Sequence, residues 1–303
     1  MKFLKRFKFD SYLLCGIGAL FIWTFVPGIK RLLNESLSMY ITAAITNLFG
    51  GIILVWFKYK KSGFTPIKQV NKKYWFLCAV PYFIYTLCSV CSSGFSSSRQ
   101  GAMIVNLFTA LWPLSGLVCS VLILKKKTTK FFPLACLLSV VGVGFACISG
   151  FDGSISELLK HDGLAIAFAI YEALSWGVYS GYYSKYVKDM KDDYQPVIQL
   201  LFGIVMVIVV IVKGETIKEF NFSVLLAILF QLILVSVLGN YLWNYSMMGP
   251  SAFNVVILSN LSPVFSSIFS SLILGLDLNW QLILGACVVV ASTLLTKKCI
   301  INK

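Results

Sequence analysis

The sequence predicts an all-α integral membrane protein: ten transmembrane helices in two inverted five-helix repeats. Charge segregation is the first reason. Of 303 residues, 58% are apolar and only 13% charged, where a soluble domain carries roughly 25%. Uncharged runs cover residues 11–29, 36–57, 74–98, 100–124, 131–151, 194–212 and 278–296, each reaching the roughly 18–20 residues that about 30 Å of hydrocarbon demands. Residues 163–184 are interrupted only by Glu172. Residues 220–276 hold two further spans, with Met248-Gly249-Pro250-Ser251 as the turn between them. Such spans are helical because each segment in lipid has to satisfy its own backbone hydrogen bonds.

The second reason is where the basic residues fall. The net charge is +14, yet 20 of the 26 Lys and Arg lie at the two termini and on one alternating set of loops. Short Lys/Arg-rich loops stay cytoplasmic, so both termini are expected inside a bacterial cytoplasmic membrane. The basic excess is then a topology signal that also favours anionic headgroups. No basic, aromatic-interleaved stretch suits nucleic acid. The third reason is a duplication. Leu111-Trp112-Pro113-Leu114 falls on Leu261-Ser262-Pro263-Val264 under a shift of 150 residues, carrying Ala102 onto Ala252 and Gly116 and Ser120 onto Ser266 and Ser270. Repeated bent helices with small residues four apart suit a duplicated transporter, its path between the halves.

Taken in order, span 1 (about 12–29) ends in Trp23-Thr-Phe-Val-Pro27-Gly28, whose last turn is weak; Lys30 and Arg31 follow on the outer side. Span 2 (about 39–57) carries Gly50-Gly51. Span 3 (about 74–95) has Pro81, then Tyr82 and Tyr85 on one face, then a serine-rich end. Span 4 is the repeated helix, and span 5 (about 133–150) opens on Pro133, where the missing N–H costs little. Residues 1–150 form the first repeat and 151–162 an external linker. Residues 163–303 form the second repeat, inverted because five spans is an odd number. Span 6 (about 163–185) matches span 1, Trp176 falling on Trp23 and Gly181 on Gly28. Span 7 (about 195–212) reads as plain and apolar, and span 8 (about 224–245) ends in a polar-aromatic cluster with Trp243 and Asn244. Span 9 carries Ser259, Asn260 and Pro263; span 10 is anchored by Lys297 and Lys298.

Of twelve acidic residues only Glu172 sits well inside a span, with no Lys or Arg at mid-span to meet it. An unpaired acid there costs roughly 3 kcal/mol, so Glu172 is either a proton or ammonium site or an acid hydrogen-bonded for structure alone. Ser175, Trp176 and Tyr179 share its face. Trp23, Trp112, Trp176 and Trp243 occupy related places in the two halves, as packing or as walls of a shared aromatic cavity. Pro27, Pro81, Pro113 and Pro263 are the candidate bends. His161 is the sole histidine, and the nine cysteines read as small apolar filling; no metal or cofactor is called for, and no phosphate-binding or hydrolase signature occurs.

These features resemble the drug/metabolite transporter superfamily of the EamA-domain kind. Ile22-Trp23-Thr, Gly28-Ile-Lys-Arg31, Asn34-Glu35, Arg99-Gln100, Leu111-Trp112-Pro113, Ser175-Trp176, Tyr179, Trp243-Asn244 and Leu258-Ser259 with Ser262-Pro263-Val264 are similar to the bacterial aromatic-amino-acid exporters. The resemblance implies a central cavity walled by spans 1, 3, 4, 6, 8 and 9. The implied substrate-binding set is Trp23, Tyr82, Tyr85, Trp112, Glu172, Trp176, Tyr179, Trp243, Asn244, Ser259 and Asn260. The chain departs from the exporters at Thr109-Ala110, where they carry Asn-Tyr. It also departs at Leu276 and at Lys125-Lys126-Lys127, where the superfamily has an acid.

The expected function is secondary active export of amino acids, aromatic ones among them, or similar small metabolites, by alternating access. No catalysis is expected, and the partners are a small-molecule substrate and the lipid bilayer, with monomer and homodimer both open. Uptake or exchange of a nucleoside-like metabolite such as S-adenosylmethionine suits the same walls. An integral-membrane transferase using a lipid-linked donor would generally need clustered acids or histidines at a membrane face. A passive channel would need a charged ring or filter loop.

Overall fold

The computed structural model describes residues 10–149, 155–276 and 280–301. In chain order the helices are α1 (Ser11–Trp23), α2 (Val26–Ser36), α3 (Met39–Lys61), α4 (Lys72–Gly94), α5 (Arg99–Ile123), α6 (Phe132–Ser149), α7 (Ile155–Tyr186), α8 (Gln195–Lys213), α9 (Phe222–Met248), α10 (Ala252–Leu274) and α11 (Trp280–Lys298). Among the described residues, six helices are long and apolar enough to cross a membrane: α3, α4, α5, α8 with the short turn before it, α9 and α10. The bent pair α1–α2 makes a seventh. Large apolar side chains cover the outside, Phe76, Leu134 and Ile211 each being more than half exposed. Lipid, not water, satisfies such a surface.

Local chemistry sets the helix ends. Ser98 accepts from the amide of Gly101 at 2.9 Å and Asn221 from that of Val224 at 3.0 Å. Gly214 and Gly275 close α8 and α10 at φ +64° and +65°, a conformation that costs a β-carbon dearly. Asp10 caps α1 by accepting from the amide of Leu13 at 2.8 Å, and it also accepts from the Ser251 hydroxyl at 2.7 Å. The start of α1 is thereby tied to the turn before α10. Those two donors, the amide first, hold the Asp10 carboxyl below its ordinary range. A depressed carboxyl stabilises the fold above its unfolded pKa of about 3.9 and loses that contribution as pH falls through the folded value. Asp10→Ala is therefore expected to cost about 0.5–2 kcal/mol at pH 7. Its melting temperature should approach that of the parent below about pH 4, as the charge-dependent part of the cap is lost; a difference that does not change with pH would mean that the charge of Asp10 contributes nothing.

Each predicted bend has a structural outcome. The α1–α2 pair bends by 41° at Thr24 and Phe25, because Pro27 stands in the first turn of α2 and supplies no amide to the α1 end. Span 1 does not stop near Ile29, as the sequence suggests. The chain rewinds at once and runs to Ser36, so Lys30 and Arg31 ride on a helix and do not lie in an outer loop. α5 breaks at Ala110 and Leu111 ahead of Pro113, and α10 tightens to a 3-10 turn over Ser259–Leu261 ahead of Pro263. Pro81 sits buried just after a π-helical turn at Trp75–Ala79 in α4. A longer π-helical stretch, Phe230–Gly239, widens the middle of α9. Part of the segment read as a linker is helical, since α7 begins at Ile155. Residues 150–154 and Asp277 lie outside the described residues.

The helices pack as α3 on α8, α6 on α11, α4 and α5 on α7, α1 on α9, and α2 on α10. Backbone contact at the α3–α8 crossing explains its glycines. A β-carbon on Gly203 would meet the Leu48 backbone at 2.3 Å, and one on Gly51 would meet that of Leu200 at 2.6 Å. Glycine at both points lets the helices touch. At the α6–α11 contact the buried hydroxyls of Ser139 and Ser292 bond each other. The largest buried cluster runs through the middle of the bundle, from Leu13 and Tyr82 to Trp176, Tyr179, Trp243 and Val255.

Candidate functional site

A cavity of about 210 Å³ opens at one end of this central cluster. Its walls come from α2, α3, α4, α5, α7, α9 and the start of α10's second segment, with Trp23 from the end of α1. Trp23, Tyr82, Tyr85, Trp112, Glu172, Trp176, Pro27 and Pro263 from the sequence-predicted set all line it. The four tryptophans form one block. Every pair among Trp23, Trp112, Trp176 and Trp243 has ring centroids 5.2–6.2 Å apart, most of them edge to face, the geometry that ring quadrupoles favour. Gly239 admits this block, since a β-carbon there would lie 2.6 Å from Trp23 Nε1. Tyr85 stacks obliquely on Trp176 with centroids 4.5 Å apart. Trp243, 1% exposed, forms the floor behind the lining residues.

Glu172 is buried and held by two hydroxyls. Ser92 of α4 donates to Oε2 at 2.6 Å and Thr109 of α5 at 3.3 Å. Thr109 is a position where the sequence departs from the exporter pattern, and it stands at the broken turn before Pro113, where its hydroxyl reaches the carboxylate. The sequence also hides a cation in this cavity. Lys30 lines the wall and donates to the Ser89 hydroxyl at 2.7 Å and to the Ser89 carbonyl. Lys30 reaches the cavity wall because the span does not end at the Pro27 bend. The available signal was Ile29, Leu32, Leu33 and Leu37, apolar at helical spacing. These residues pack in a buried cluster with Ile41 and Val224 and keep α2 in register. Beyond Lys30, Arg31 donates to Ser96 at 2.8 Å and pairs with Glu35, which also pairs with Arg99 at 2.8 Å. Asn34 Oδ1, Trp176 Nε1 and Gln231 Oε1 are buried with no protein partner among the described residues, although all three residues line the cavity.

The opposite end is sealed by a buried polar network. Tyr82 accepts from Gln195 Nε2, and Gln195 also donates to Gln199 at 2.8 Å. Asn244 donates to Gln195 Oε1 at 3.2 Å and to Asp193 at 3.4 Å, and it accepts from Tyr179 at 2.8 Å. The Lys58 ammonium is buried with no hydrogen-bond partner among the described residues and sits 4.3 Å over the Phe64 ring; Asp193, also buried, lies beyond ion-pair distance of it. Tyr179, Trp243 and Asn244 therefore lie beneath the cavity and not on its wall. Ser259 and Asn260 turn back on their own helix, bonding the carbonyls of Val256 and Ile257 next to the Pro263 break. Span 7 is not plain: Gln195 and Gln199, one turn apart on α8, are fully enclosed.

Comparison with known proteins agrees with this architecture. Aromatic amino acid exporter YddG of Escherichia coli (strain K12) is 23% identical over 286 residues, 93% of this chain and 95% of its own. Its counterpart in Salmonella typhimurium matches at the same identity and coverage. A protein of known crystal structure superposes with a TM-score of 0.70 over 95% of this chain and 98% of its own, at 16% identity, which shows a shared fold. The model of the EamA-like transporter family matches residues 10–148 and again 163–297. With nearly the whole length covered by those two matches, the chain belongs to the EamA-like transporter family and is a multi-pass membrane transporter.

Proposed function

We propose that this protein is a secondary active transporter that exports amino acids, aromatic ones among them, from a bacterial cytoplasm by alternating access. The observation that carries the reading is one aromatic-walled cavity holding both a carboxylate and an ammonium, open at one end and sealed at the other. A transporter caught in one of its two states has that form. Ten spans in two inverted repeats, 1–150 and 163–303, are supported by the packing. Exchanging the first five spans for the last five turns α1 on α9 into α7 on α4, and α2 on α10 into α7 on α5; it leaves α3 on α8 and α6 on α11 unchanged. The double family match agrees with that division. With both termini inside, as the Lys/Arg distribution implies, the mouth near Arg31 and Asn34 faces outward and the Asp193 seal faces the cytoplasm.

The test is a panel of labelled amino acids, with S-adenosylmethionine as the competing solute, in proteoliposomes with and without a pH gradient. Counterflow of one or more amino acids, accelerated by the gradient, is the expected result. Counterflow of S-adenosylmethionine alone, or movement of no solute with product formed from lipid donors, would replace the reading.

A further inference from the structure

We propose that Lys30 and Glu172 divide a zwitterionic substrate between them, Lys30 taking its carboxylate and Glu172 its ammonium. The inference rests on the transport reading above and makes it specific: the cavity selects molecules carrying both charges on one carbon. Its first ground is that the two charges line the same cavity without meeting. Among the described residues the ion pairs are Arg31–Glu35 and Arg99–Glu35, while Lys30 and Glu172 are each held on serines of α4. Opposite charges kept apart in a poorly solvated interior forgo most of the attraction that would offset their burial. A ligand that bridges them recovers it.

Spacing is the second ground. From the Lys30 ammonium the path runs to the Ser89 carbonyl, then to the Ser92 hydroxyl, then to the Glu172 carboxylate, three hydrogen-bond lengths in all. An α-amino acid has its own nitrogen and carboxylate oxygen about one such length apart. Bonded at each end, it makes a chain with the same number of links as the protein path that already joins the two groups. The Ser92 hydroxyl has one proton and two acceptors in reach, Glu172 at 2.6 Å and Ser89 O at 3.2 Å. When a substrate ammonium takes the Glu172 lone pair, that proton has the second acceptor waiting, so substrate entry strands no donor. The third ground is the wall beside the pair. Tyr85, Trp112 and Trp176 offer ring faces to the side chain, and the unpartnered Trp176 Nε1 is a spare donor.

The experiment uses the purified full chain in nanodiscs, with binding measured calorimetrically for two matched triads. One is L-phenylalanine, 2-phenylethylamine and 3-phenylpropionate; the other is L-leucine, 3-methylbutylamine and 4-methylpentanoate. The parent should bind the amino acid of at least one triad about tenfold or more tighter than either truncated member. In Lys30→Met the amine should bind within about twofold of the amino acid, and in Glu172→Gln the acid should do so. Lys30→Gln serves should the methionine variant fail to fold. If the parent binds amino acids and the variants keep the parental discrimination, the division of roles is wrong and the transport reading stands. If amines bind the parent as well as amino acids do, the cavity is an amine site and the proposal falls. If no member of either triad binds, the proposal and the amino-acid reading fall together.

Discussion

Trp243→Ala is expected to lower the unfolding free energy by about 3–5 kcal/mol, the largest loss from any single truncation in the tryptophan block. The side chain is 1% exposed and meets Trp23, Trp112 and Trp176 at once. Lipid is as apolar as an indole, so the loss is mainly one of packing: the neighbours forfeit their contacts across a void that lipid cannot enter. The aromatic pairs, each worth about 0.5–1.5 kcal/mol, are part of that loss. The three partners belong to α1, α5 and α7 and form the cavity wall, so substrate binding should weaken along with stability. Thermal melting of the two proteins in the same micelle measures the first effect. Trp243→Phe should recover more than half of it, because one ring still fills part of the hole. Melting of Trp243→Ala within about 2 °C of the parent would mean that the four rings do not pack as one unit.

The membrane class was legible because hydrophobic length and charge segregation are properties of the chain alone, read without any contact. The tryptophan block was legible for a related reason. Trp23 and Trp176 coincide when the two halves of the sequence are laid over each other, which singles them out together, and their rings lie 5.3 Å apart. Lys30 was not legible as a cavity residue because a proline can end a helix or bend it, and the residues beyond the proline decide between the two. Here the apolar contacts of Leu33 and Leu37 favour continuation. Nor was the full set of cavity-lining residues. Tyr179 shares a helical face with Glu172 in sequence, but two turns of α7 carry it down into the seal, where it meets Asn244. Asp193 and Lys58 were invisible for another reason. Both sit at the edges of apolar runs, where charge ordinarily means solvent, and only the packing of α3, α7 and α8 encloses them.

That enclosed pair supports the other large expected effect. Asp193→Asn keeps the shape of the side chain but strips Lys58 of the buried carboxylate that offsets its charge; Asp192 and Asp189 are more distant and more exposed compensation. Breaking a contacting buried ion pair costs about 3–5 kcal/mol; these two charges are not in contact, so the loss should be smaller, about 1–3 kcal/mol. Lys58→Met placed in the same chain removes the stranded ammonium, and its four-atom stem still fills the space over Phe64. The double variant should therefore lose less stability than the two single effects summed, by more than the roughly 0.5 kcal/mol within which independent sites add. If the double variant is instead less stable by the sum of the single losses, within about 0.5 kcal/mol, the two charges are independent. The location gives the measurement its functional edge. Asp193 is joined through Asn244 and Gln195 to Tyr82 on the cavity wall, so the alternating access proposed above requires these bonds to be exchanged for water when the seal opens. Two buried charges suit that exchange, because water entering the seal would solvate both. The double variant loses that exchange and should remain folded while transporting more slowly than the parent.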